Sequence, residues 1–107
     1  MMPWIILLIA GLLEVGWSYS MKLSQGFTRP GMAVITLVLM FASVALLSLA
    51  MRTLPLGTAY TVWTGIGAIG AFVLGITVLG EAATPMRLLA ALLIVAGLLL
   101  MKMASPH

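Results

Sequence analysis

One carboxylate, Glu14, stands in the middle of the apolar run PWIILLIAGLLEVGWSYSM. Counted from Pro3 at about 1.5 Å per residue, it lies about 16 Å along a helix, near the centre of a ~30 Å hydrocarbon layer. An ionisable group at that depth costs roughly 2.5 kcal/mol or more. The chain has only two acidic residues, and one of them is placed where a charge is least favourable. Such a group points to a site for a proton, an ion or a substrate.

Its neighbours are the right kind for that work. Trp17 and Ser18 follow at i+3 and i+4, so they share the face of Glu14, and Ala10 and Gly11 one turn earlier make that face shallow. A second group, Tyr60, Trp63, Thr64 and Gly67, falls at i, i+3, i+4 and i+7, and Ser43 sits near the middle of another apolar run beside Met40 and Phe41. Tyr and Ser hydroxyls and the Trp indole N–H are donors to a buried carboxylate. Such donors favour its charged form, whereas desolvation opposes it. Aromatic walls also hold a cation through its charge. The competing reading for the aromatics is an interfacial belt, which fits Trp4, whereas Trp17, Tyr60 and Trp63 lie deeper. Ser43 alone carries little information, because a membrane serine often bonds its own backbone. Gly65 and Gly67 follow Trp63 closely and read either as a hinge beside the site or as packing glycines. Glu81 reads as a solvated loop residue.

The elements that position these residues follow from composition. The chain has 107 residues, 64% hydrophobic and 7% charged, against about a quarter charged in soluble domains. That makes it an all-α integral membrane protein. Apolar runs at about 3–21, 31–51, 56–80 and 86–103 are each long enough to span as a helix, and together they form a single four-helix transmembrane domain over 1–107. Short proline-ended connections, Lys22–Pro30, Arg52–Pro55 and Glu81–Pro85, join them. The first run is not expected to be a cleavable signal peptide, since it lacks a basic start and carries Glu14. With no cysteine and the one histidine at position 107, no metal site or cofactor is expected. Five basic residues scattered at helix ends do not make a nucleic-acid surface.

Four spans put Lys22, Arg29 and Arg87 on one side and Arg52 and Lys102 on the other. A bias of three to two is too weak to fix orientation, so either mixed insertion or a single winning orientation is open. On the fourth helix Ala90, Leu93, Ile94 and Gly97 share one face, small at its ends, where another helix of the same subunit or of a second one can approach closely.

The segments AGLLEVGW…MKLSQGFTR, LPLGTAYTVWTGIGA and LGE…RLLAALLIVAG resemble the small multidrug resistance family of proton-coupled cation exporters, with matching spacing over all four helices. Trp three residues after the first-helix Glu, together with AYTVWTGIGAIGA, is similar to its guanidinium-exporter branch. The resemblance implies an antiparallel dual-topology homodimer in the bacterial inner membrane, with both Glu14 side chains in one pocket that exchanges protons for guanidinium by alternating access. It implies that Glu14, Trp17, Ser43, Tyr60 and Trp63 bind substrate and proton, that Gly65 and Gly67 form a kink, and that Ala90 to Gly97 form the dimer seam. Gly16, Ser18, Tyr19 and Ser20 make the end of helix 1 more polar than the branch pattern, and Ala90 replaces a common glycine.

Guanidinium is planar and forms forked hydrogen bonds to a carboxylate, and protons would compete with it for the same group. A broader exporter of quaternary ammonium cations shares the fold and is the runner-up. A small structural subunit of a larger complex, or a proton carrier, belongs to another class; the first has no need of Glu14 and the second no need of deep aromatics. No nucleophile–base pair suggests an enzyme.

Overall fold

In a computed structural model, which describes residues 2–104, the chain forms four α-helices: α1 (Met2–Leu23), α2 (Pro30–Ala50), α3 (Leu56–Thr77) and α4 (Pro85–Ala104). His107, the one histidine, lies outside the described residues. Each helix is long and apolar enough to cross a membrane. Proline marks three of the starts: Pro30 and Pro85 open α2 and α4, and Pro55 directly precedes α3. A proline there forfeits no helical hydrogen bond.

The first connection turns through three successive left-handed residues, Gln25, Gly26 and Phe27, with φ of 51°, 73° and 65°. Only Gly26 takes that conformation without a side-chain penalty. Ser24 holds the turn, since its hydroxyl donates to the Met21 carbonyl at 2.7 Å and accepts from the Phe27 N–H at 3.1 Å. The third helix ends at Thr77, short of the expected 80. Gly80 there has φ 72°, and the Glu81 N–H folds back onto the Gly75 carbonyl at 2.8 Å. Hydropathy runs on through Val78 and Leu79, but backbone geometry stops the helix first.

Helix α1 is the centre of the bundle, packed on α2 and α3, while α4 packs mainly on α3. The buried apolar core gathers Leu7, Ala10, Leu47, Ala50, Leu54, Ala59, Val62 and Trp63. Small residues bring the helices together. A Cβ on Gly11 would overlap Ile66, one on Gly70 would overlap Val15, and one on Gly65 would overlap Leu98. Lipid supplies no hydrophobic drive between helices, so such close approach and interhelical hydrogen bonds do the holding. Ser20 and Thr36 bond across α1 and α2 at 2.8 Å. Ser43 on α2 donates to the Ala10 carbonyl on α1 at 2.7 Å, and Trp63 on α3 donates to Ser43 at 2.9 Å. Much of the remaining apolar surface faces outward, as with Phe41 at 75% exposure, and no residue of α4 is buried.

Candidate functional site

Glu14 projects from the middle of α1 against α3, where Gly67 makes room for it. A Cβ on Gly67 would occupy the space of the carboxyl group. The carboxylate is half-buried, and its Oε1 is fully enclosed without a hydrogen-bond partner. One turn on, the Trp17 indole Nε1 is enclosed and unpartnered as well. Among the described side chains these are the two buried polar atoms left unsatisfied, and they belong to residues three apart on one helix. A buried donor or acceptor without a partner costs about 1–3 kcal/mol. The acceptor and the donor are both enclosed by the fold and lie one helical turn apart on α1.

The other expected site residues are arranged differently. Trp63 and Ser43 do not donate to Glu14. The Trp63 N–H is used on the Ser43 hydroxyl, whose own proton goes to the Ala10 carbonyl. Ala10 precedes Glu14 by four residues, so this chain of bonds ends one turn away from the carboxylate, on the same side of α1. Trp63 thus buttresses the wall beneath Glu14. Tyr60 is about half exposed, and its ring lies 5.6 Å from that of Trp63, centroid to centroid, tilted by 46°. Ser18 returns its hydroxyl to the Val15 carbonyl at 2.9 Å.

Thr64 also parts company with Trp63. Adjacent residues are about 100° apart on a helix, and α3 is gripped from two sides. Trp63 faces α1 and α2, whereas Thr64 lines a cavity of about 480 Å³ between α3 and α4 with Tyr60, Thr61, Gly65 and Gly97. The expected shallow face at Gly11 is filled by Ile66. Gly65 and Gly67 lie in an unbroken helix and receive two different side chains, Leu98 from α4 and Glu14 from α1, so here they pack. Phe41 points away from the bundle. Ala90, Leu93, Ile94 and Gly97 are all exposed, and the space beyond Gly97 is open.

Two features escaped the sequence reading. The Ala10 carbonyl has no side-chain signal. Glu81, expected to be a solvated loop residue, is only partly so. Its carboxyl lies over Gly75 and pairs with Arg87 at 3.5 Å. At the opposite end of the bundle the Lys102 ammonium sits 4.5 Å from the centroid of the Trp4 ring.

Comparison with known proteins bears on this geometry. The family model described as Small Multidrug Resistance protein matches residues 2–104. A protein of Citrobacter freundii named guanidinium exporter is 58% identical over 104 residues, covering 97% of this chain and 99% of that one. Proteins with the same name from Yersinia pseudotuberculosis serotype I and Salmonella typhi are similar to the chain at 58% and 57% identity, each over 97% of it.

Proposed function

Because the chain belongs to the small multidrug resistance family and is a multi-pass membrane protein, we propose that it exports guanidinium cations in exchange for protons, both bound at Glu14. The observation that carries this reading is the pair of unsatisfied atoms one helical turn apart on α1, Glu14 Oε1, seated on Gly67, and Trp17 Nε1. A carboxylate oxygen without a protein donor is completed either by a proton of its own or by a cation bearing N–H groups. Guanidinium is such a cation, flat enough for a narrow space and able to offer two parallel donors to one carboxylate. Occupancy by one excludes the other. Competition for a single group couples the two flows with no second site. The name shared by relatives 57–58% identical over nearly the whole chain supports the choice of cation.

The functional unit we infer is an antiparallel homodimer in the bacterial inner membrane. Its support is physical: α4 buries no residue within the subunit and packs mainly on α3, and the basic residues divide three to two between the membrane faces. Tyr60, exposed beside Trp63, would then wall the pocket together with the second subunit. The reading is transport without catalysis of a covalent step.

The test is proton release from purified, detergent-solubilised protein in weak buffer on addition of guanidinium chloride. Release is expected from the natural chain and not from Glu14→Gln. Release by tetramethylammonium of the same size as by guanidinium would favour the broader exporter. No release by either, from a folded protein, would remove the exchange mechanism.

A further inference from the structure

The chain's second carboxylate also lies on a glycine of α3. Gly67 receives Glu14, and two turns further on Gly75 receives Glu81. The loop presents Glu81 by design of the backbone: Gly80 turns at φ 72°, and the Glu81 N–H is tied to the Gly75 carbonyl at 2.8 Å. The side chain borders a cavity of about 290 Å³ that it shares with Ser18, Tyr19, Lys22 and Phe72. Ser18 is the residue one turn along α1 from Glu14. The cavity therefore begins a single helical turn from the inner carboxylate and ends at the loop that closes the bundle.

What occupies Glu81 is informative. The guanidinium of Arg87 meets its Oε1 at 3.5 Å, donates to the Ala82 carbonyl, and lies 5.1 Å from the centroid of the Phe72 ring. A carboxylate, a carbonyl and an aromatic face are the three groups that recognise a guanidinium. Yet the fit is loose. A charge-assisted bond runs to about 2.7–2.9 Å and is often forked, and here one nitrogen reaches one oxygen at a longer distance. The side chains of Arg87 and Glu81 are 39% and 44% exposed, so the arginine can swing into water. A free guanidinium has no tether and can take the forked geometry that Arg87 does not reach.

We propose that Glu81 is a second, outer binding site for guanidinium-class cations at the mouth of the protein, filled in the absence of substrate by the guanidinium of Arg87. The proposal rests on the reading of Glu14 as the inner site. Lys22 lines the same cavity and opposes any added cation there. Exchange of Arg87 for substrate avoids that objection, because one positive charge enters as another leaves. An exposed pair of this kind contributes little on its own, so a competing cation opens it readily. The outer site then accepts substrate coming off Glu14 and hands it to water.

The test isolates the outer site by using Glu14→Gln throughout. Guanidinium chloride is titrated into the full-length protein in detergent, and the backbone amide signals of Gly80 and Glu81 are followed by NMR, with sodium chloride as control. A saturable shift specific to guanidinium is expected in Glu14→Gln. It should disappear in Glu14→Gln/Glu81→Gln and tighten about two- to fivefold in Glu14→Gln/Arg87→Gln, the range an exposed ion pair supplies. In proteoliposomes, Glu81→Gln alone should raise the KM for guanidinium by a similar factor with a smaller change in kcat. Equal shifts with sodium, or no tightening when Arg87 is removed, would overturn the outer site. A changed KM without a saturable local shift would mean long-range attraction only, and would overturn it too. Failure of the Glu14 reading looks different, since the natural chain would then release no protons.

Discussion

At Glu14 the length of the side chain matters beside its charge, because it is what brings the carboxyl onto Gly67. Glu14→Asp withdraws the group by about 1 Å, a displacement that preorganised sites tolerate poorly. The protein should fold while the proposed exchange is impaired or shifted along the pH axis. Transport rates across pH in proteoliposomes check this, and unchanged rates would contradict it. Ser43 makes a different claim. Ser43→Ala strands the buried Trp63 N–H, which now donates to the hydroxyl, at a cost of about 1–3 kcal/mol. Thermal stability should fall accordingly, and Trp63→Phe/Ser43→Ala should recover part of it because no orphaned donor remains. Tyr60→Phe keeps the ring beside Trp63 and should be the mildest of these changes, read as the guanidinium concentration for half-maximal proton release. The chemistry at this scale was legible only in part. Glu14 announces itself by depth alone, and Trp17 by its i+3 spacing. The partners of Ser43 and Trp63 were hidden, because spacing says which residues share a face and not which helix arrives opposite them. Ala10 acts through its carbonyl, which every residue has.

Helix by helix, the glycines of α3 assign separate tasks to neighbouring positions. Gly67→Ala pushes on the flexible end of Glu14, so the fold should persist while guanidinium-dependent proton release is lost. Gly65→Ala pushes instead on Leu98 of α4, so it should loosen α4 and lower thermal stability while the Glu14 pocket keeps its groups. Measuring both properties on both variants separates the two roles, and identical behaviour would refute the division. The helices themselves were plain in the sequence, since four apolar runs ending in proline leave few alternatives. The end of α3 was not, because Val78 and Leu79 are as apolar as the helix and only the left-handed Gly80 marks the turn. Grouping Tyr60, Trp63, Thr64 and Gly67 by spacing was too simple for a helix with neighbours on both sides. Thr64 joined the α4 cavity while Trp63 entered the core.

For the whole molecule, the proposed antiparallel pairing makes orientation in the membrane a matter of single charges. Lys22 borders the Glu81 cavity, which with Arg87 marks one end of the bundle, and Arg52 lies with Met2 and Pro3 at the other. Thr53→Lys makes the count three to three and should preserve insertion both ways. Gln25→Lys makes it four to two and should bias the population to one orientation. That variant should lose guanidinium resistance alone and regain it when co-expressed with an oppositely biased chain. One-sided labelling of Ala83→Cys, in a chain with no other cysteine, reports the orientation. One-sided labelling of an otherwise natural and fully active chain would replace the antiparallel pair with a parallel one. The hydrogen bonds between helices carry a mechanical consequence as well. Helices α1 and α2 are riveted twice, at Ser20 with Thr36 and at Ala10 with Ser43, ten residues apart on α1 or about 15 Å. Two rivets forbid both sliding and swivelling. Among the described residues, side-chain hydrogen bonding ties α3 to this plate at one point, Trp63, and the rest of its hold is side-chain packing. Any swing of α3 about Trp63 is smallest at Gly67, one turn away, and widest at Gly75, three turns away. Such a swing would leave the bed of Glu14 nearly still and change the width of the mouth beside Glu81.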